Sequence, residues 1–189
     1  MELWAAHHIC GIDELAAAPL ATARRVVSIL EPRAPVPPEL AGRGPDLLTL
    51  RFDDVIEPRG DFQPPTSAHI EQLLAFDREH EPDDALIIHC RAGISRSTAA
   101  FAILLAQRHP GREAEIFAEL RAIRPHAWPN SLMIALADDV LGSGGNLARE
   151  LREHYKLQLR AYPAIGRMMI GLGREREIPF DRFVPADPD

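Results

Sequence analysis

The sequence predicts an α/β domain in which a sheet of short strands carries a layer of helices. Three observations predict it. Short Val-, Ile- and Leu-rich runs separated by loops fill the first half of the chain. Residues 85–89 (ALIIH) form a continuous apolar run, the pattern of a strand buried on both faces. From Arg96 onward, apolar residues recur at helical spacing.

In chain order, residues 1–10 and 25–30 (RVVSIL) read as strands. Residues 31–45 (EPRAPVPPELAGRGP) read as loop, because their prolines and glycines defeat both helix and ladder. Residues 46–52 (DLLTLRF) alternate as a third strand. After a second proline-rich stretch, Thr66 or Ser67 caps a helix with Ile70, Leu73 and Leu74 on one face. Residues 98–106 (TAAFAILLA) are apolar all round, which suits a central buried helix, and Pro110 and Gly111 end it. Ile116, Phe117, Leu120 and Ile123 mark an amphipathic helix stopping before Pro125. Residues 129–141 form the next, with Met133, Leu136, Ala137 and Val140 on one face. GSGG at residues 142–145 reads as a flexible break. It divides the chain into a domain over 1–145 and a C-terminal extension over 146–189. In the extension, Leu147, Leu151 and Tyr155 stripe one helix over 146–160, whereas residues 166–189 show no clear periodicity and read as a docked tail, a partner-binding arm or a disordered end.

Composition narrows the function classes. The chain has 189 residues, of which 46% are hydrophobic and 26% charged, as in a globular domain that buries a sizeable core. A formal charge of −7 disfavours general binding to nucleic acid or to an anionic membrane. No apolar run approaches the ~18 residues of a membrane span, and the first residues lack the basic-then-apolar layout of a signal peptide. Two cysteines cannot build a disulfide framework, so a cytoplasmic location is expected. The 17 prolines signal many loops, with no internal period.

One stretch carries chemistry: the strand ALII, then His89-Cys90-Arg91-Ala92-Gly93-Ile94-Ser95-Arg96-Ser97, then the buried helix. A cysteine at a strand end starts a tight loop whose successive N–H groups form an anion nest, and the next helix aims its positive end at the same point. Arg96 closes the ring with a planar fork suited to phosphate oxygens. Gly93 permits a turn that a side chain would hinder. Such surroundings favour a thiolate nucleophile beside a bound tetrahedral dianion.

HCRAGISRS resembles the HCxxGxxRS signature of the cysteine-dependent protein tyrosine phosphatases in their dual-specificity form. The resemblance runs from about residue 25 to 142. It includes RPHAWPN (residues 124–130), similar to the R-P-x-x-x-P-N segment that follows the phosphate loop, and LRFDD (residues 50–54), where the family places its general acid. The resemblance implies a central, mostly parallel sheet of four or five strands flanked by helices, no metal or other cofactor, and two steps through a phosphocysteine. It implies Cys90 as nucleophile and Arg96 as phosphate ligand and transition-state stabiliser. The N–H groups of Arg91, Ala92, Gly93, Ile94, Ser95 and Arg96 form the cradle. Ser97 assists departure of the thiolate, His89 orients the loop through hydrogen bonds, and Asn130 buttresses the loop or its neighbour. Asp54 is the first choice for the acid, with Asp53 and Asp61 as alternatives.

The expected substrate is phosphotyrosine, with phosphoserine and phosphothreonine, in a protein or peptide; no nucleic-acid or membrane partner is expected. The loop lacks the lysines flanking glycine that phosphoinositide phosphatases of the superfamily favour, but lipid, nucleotide and RNA 5′-phosphate substrates stay open. A phosphate-binding pseudophosphatase or scaffold is the reading from another class, and the intact Cys90, Arg96 and Ser97 argue against it. His7, His8 and Cys10 lack zinc-fold spacing and read as structural. Cys10 is also a candidate redox partner of Cys90. The helical stripe of the extension allows a homodimer contact.

Overall fold

In the computed structural model, which describes residues 7–79, 81 and 84–179, four strands form one all-parallel sheet. They are β1 (His7–Gly11), β2 (Arg25–Leu30), β3 (Leu47–Arg51) and β4 (Leu86–Cys90). Their order is β1-β4-β2-β3, so β4, last in the chain, lies between the first two. Strands β2 and β4 are buried along their whole length, as the continuous apolar run of β4 requires of a central strand; in β2 the buried residues include Arg25 and Ser28. The register sets Gly11 beside Cys90 and Val27 beside Ile88.

The α-helices are α1 (Ser67–Arg78), α2 (Arg96–Arg108), α3 (Glu113–Ile123), α4 (Ser131–Leu141), α5 (Asn146–Ala161) and α6 (Pro163–Gly171). Thr66 is the cap of α1, and Asn130 caps α4 by accepting from the Met133 N–H at 3.0 Å. Helix α2 is buried from Arg96 through Ala106 and packs against Ile9, Val27, Ile29 and Ile88 of the sheet within the main core. The opposite face carries a smaller core of Cys10, Leu15, Ala23, Val26, Leu40 and Ile87. Short 3₁₀ turns at Ile12–Ala17 and Pro38–Leu40 cover it, so the proline-rich loop is a lid over apolar sheet.

Two features depart from the sequence reading. The GSGG break is an anchored turn: Asp138 accepts from the N–H groups of Leu147 at 3.1 Å and Ala148 at 2.8 Å, and from the Ser143 hydroxyl. Gly142, Gly144 and Gly145 supply the positive φ it needs. Residues 163–171 of the extension form α6, which buries Ile165, Gly166 and Met169. Leu147, Leu151, Tyr155, Leu159, Ile165, Met169 and Ile178 join the main core, so residues 146–179 are an arm packed on the body. Residues 1–6 of the first expected strand and 180–189 of the expected tail lie outside the described residues.

Candidate active site

Strand β4 ends at Cys90 and α2 begins at Arg96, leaving residues 91–95 as the loop between them. Its carbonyls are tied from outside. Arg91 O accepts from Ile12 N at 3.0 Å, Ile94 O from Trp128 N at 2.8 Å, and Ser95 O from Ala99 N at 2.9 Å and Asn130 N at 3.4 Å. Ala92 O and Gly93 O accept from the Arg124 guanidinium at 3.4 and 3.0 Å. In a planar trans peptide the carbonyl and the next N–H point opposite ways, so tying the carbonyls outward turns the N–H groups inward. Among the described residues, the N–H groups of Arg91–Ser95 donate to no protein acceptor. This is an anion nest.

Gly93 is indispensable to that path. Its φ is +69°, and a Cβ there would lie 2.5 Å from the backbone of Cys10 and Gly11. Arg124 is itself held by a two-pronged pair with Glu14 at 3.1 and 2.7 Å, which straps the loop to the turn after β1.

Within the nest, the structure brings the Cys90 Sγ to 3.2 Å from the Ser97 Oγ, both buried. Arg96 is 2% exposed; it donates to Phe52 O at 2.9 Å and to Glu31 Oε1 at 2.6 Å. Its Nε has no hydrogen-bond partner. Burial works to raise the Glu31 carboxyl, but the hydrogen bond and charge of Arg96 outweigh it and hold it below its usual value. His89 lies in β4; burial pulls its pKa down, against a backbone hydrogen bond at Cys90 that works to raise it.

The three aspartates separate clearly. Asp54 sits beside the loop, and its Oδ1 accepts from Ser95 Oγ at 2.8 Å, Asn130 Nδ2 at 2.9 Å and Arg174 Nη1 at 3.3 Å. Asp53 instead accepts from Gln63 N at 2.7 Å. With Glu31, Arg33, Phe62 and the exposed Asp61, it lines a neighbouring cleft of about 670 Å³. Asn130 thus serves α4, the loop and Asp54 at once.

Cys10 belongs to the smaller core and Cys90 to the main one, so the two thiols lie on opposite faces of the sheet. Burial pushes the Cys10 thiol up to about 12. This placement removes Cys10 as a redox partner. His7 packs edge-on to Phe101 with ring centroids 6.1 Å apart.

Glu31, Arg124 and Arg174 complete the surroundings and were not singled out by sequence reasoning. Arg124 opens the RPHAWPN segment, so a signal was present without its role. Glu31 heads a loop, and Arg174 stands in a charged run (GREREI) within the segment that shows no clear periodicity.

No family model and no curated protein sequence matches the chain. Solved structures do. Human DUSP28 is 20% identical with a TM-score of 0.54, over 76% of this chain and 98% of that one. The PTP-2 phosphatase of Cydia pomonella is 17% identical with a TM-score of 0.57, over 73% and 87%. PTPMT1 in complex with PI(5)P is 19% identical with a TM-score of 0.51, over 72% and 91%. The sheet, the helical layer and the strand-loop-helix around Cys90 together show that this chain has the fold of the cysteine-dependent tyrosine and dual-specificity phosphatases.

Proposed function

We propose that the protein is a phosphoric monoester hydrolase acting on phosphotyrosine, and on phosphoserine and phosphothreonine, in proteins or peptides. One observation carries the reading: a loop with its carbonyls tied outward surrounds Cys90, with Ser97 Oγ 3.2 Å from the sulfur and the buried Arg96 Nε unpaired. Inward N–H donors stabilise charge on a phosphoryl group without reorganising during reaction.

Cys90 Sγ attacks phosphorus, and the bond from phosphorus to the leaving oxygen breaks with its electron pair moving to that oxygen. Asp54 supplies the proton. Water then attacks the phosphocysteine, Asp54 takes its proton, and the Ser97 hydroxyl donates to the departing sulfur. Arg96, steadied by Glu31 and Phe52 O, bears on the phosphoryl oxygens in both steps. Both cysteines are free, and a thiol nucleophile needs a reducing compartment, which supports a cytoplasmic location. No described helix is long and apolar enough to cross a membrane. Exposed Leu157, Met168 and Leu172 on the arm support self-association, which sedimentation at rising concentration reads.

The test compares wild type with Cys90→Ser on phosphotyrosine and phosphoserine peptides, a phosphoinositide, a mononucleotide and a 5′-phosphorylated RNA. Wild type turns over the phosphotyrosine peptide best, and acid quenching traps a phosphocysteine that the variant lacks. A larger kcat/KM on a non-protein substrate overturns the substrate class; substantial turnover by Cys90→Ser overturns the mechanism.

A further inference from the structure

The C-terminal arm reaches the candidate site through a single side chain. The Arg174 side chain is 3% exposed and spends its fork in two directions. Nε and Nη2 each donate at 2.8 Å to one oxygen of Glu177, whereas Nη1 donates to Ser95 Oγ at 2.8 Å and to Asp54 Oδ1 at 3.3 Å. Glu177 is in turn fixed by Trp128 Nε1 at 2.7 Å, Ser131 N at 2.9 Å and Tyr155 OH at 3.1 Å. The Glu177 pair alone would suffice to dock the arm. The other half of the guanidinium goes to the loop hydroxyl and the carboxyl beside it.

We propose that Arg174 is a positioning residue of the active site, orienting the Asp54 carboxyl so that the proton it delivers sits on Oδ2. Ser95, Asn130 and Arg174 present three donors to Oδ1, which has two lone pairs. No place remains on that oxygen for a proton. Among the described residues no donor reaches Oδ2, so a proton carried by Asp54 lies there. Ser95 relays the constraint, accepting from Arg174 while donating to Asp54. Burial works against the Arg174 charge, and the carboxylates of Asp54 and Glu177 outweigh it, so the guanidinium stays protonated. A misoriented carboxyl loses proton transfer to a basic leaving oxygen and little else. The inference rests on the phosphatase reading given above.

The experiment is a double-mutant cycle read on two leaving groups, phenyl phosphate (basic phenol) and 4-nitrophenyl phosphate (acidic phenol). Arg174→Met lowers kcat/KM on phenyl phosphate on the order of 10-fold more than on 4-nitrophenyl phosphate, a part of the 10²–10⁴-fold that a positioned acid provides. In an Asp54→Asn background the same substitution adds nothing to that ratio. Since Arg174→Met strands Glu177 in the interior, Arg174→Lys is run beside it; one ammonium keeps the charge but cannot reproduce the fork, and the ratio shifts in the same direction. Equal losses on both substrates in a folded variant, an unchanged ratio, or a ratio shift that persists undiminished without Asp54 overturns the proposal. Failure of the underlying reading looks different: wild type hydrolyses neither phosphate, or Cys90→Ser retains turnover.

Discussion

The loop at residues 90–97 and the arm at 146–179 both touch the candidate site, and they are built on opposite principles. In the loop, eight consecutive residues supply the candidate nucleophile Cys90, the anion nest, Arg96 and the helix start. Its side chains act where the backbone puts them. The arm contributes through distance: Arg174 meets Ser95 across 79 residues and Asp54 across 120, and only the packing of α5 and α6 brings it there. A site can therefore be local in its chemistry and non-local in its alignment.

Glycine substitutions break that comparison most sharply. Gly93→Ala forces a Cβ to 2.5 Å from the backbone of β1 at a φ of +69°. It is expected to cost upward of about 3 kcal/mol and to abolish turnover, because the nest must open to admit it. Gly144→Ala in the arm's turn also meets a positive φ but has open space, and should cost about 1 kcal/mol with turnover retained. Urea unfolding and assays of the two variants check this; equal costs would show that loop crowding is not what demands Gly93.

Acid separates the regions next. His154 of α5 is fully buried, with Nε2 2.9 Å from Ala127 O and Nδ1 3.2 Å from the Arg121 guanidinium, and burial lowers its pKa from 6.5 to about 4. Above pH 6.5 neither state takes the proton. Between 6.5 and about 4 the unfolded chain takes it and the folded chain does not, so stability falls with pH, by about 3 kcal/mol at the lower end. His7 of β1 is lowered to about 4 by burial as well, adding a second slope from the sheet. His154→Gln should reduce the slope in urea midpoints measured from pH 7 to 4.5, leaving the share of His7 and of His89, whose pKa burial also lowers. An undiminished slope would place its origin outside the arm.

The smallest effect concerns the strap. Glu14→Gln removes one charge of the Glu14–Arg124 pair, whose Glu14 side chain is 50% exposed. Inhibition by vanadate should weaken two- to threefold, on the order of 0.5 kcal/mol, with the melting temperature unchanged. A shift in melting temperature without a change in inhibition would make the strap a fold contact rather than a loop brace.

Legibility follows the same division. Cys90, Gly93, Arg96 and Ser97 could be read together because strand, turn and helix start are neighbours in sequence and each has its own local signature. The central strand β4 was legible for a related reason, since burial on both faces leaves an unbroken apolar run. Asp54 could be placed near the site, but the distinction from Asp53 needed Asn130 and Ser95 in three dimensions. Arg174 carried no signal at all. It lies in a segment without periodicity, and its buried place is set by Glu177, which Tyr155 and Trp128 hold. Helix α6 escaped because it is only nine residues long and carries Gly166 and Gly171, which weaken a helical signal, and the GSGG turn read as flexible because Asp138, which anchors it, precedes it on another helix.

The strand order has a consequence for how the molecule comes to life. Among the described residues β1 pairs only with β4, and β4 is the last of the four strands in the chain. Until residues 86–90 slide between β1 and β2, the first strand has no neighbour and the sheet is two fragments. Inserting that strand is a long-range event, with the entropic cost of closing a large loop. The same strand ends in Cys90, and the nest around it takes its braces from Ile12, Arg124 and Trp128 on both sides of the gap. Closing the sheet and closing the nest thus depend on one strand, and the loop after Cys90 has all its braces only when β4 lies between β1 and β2.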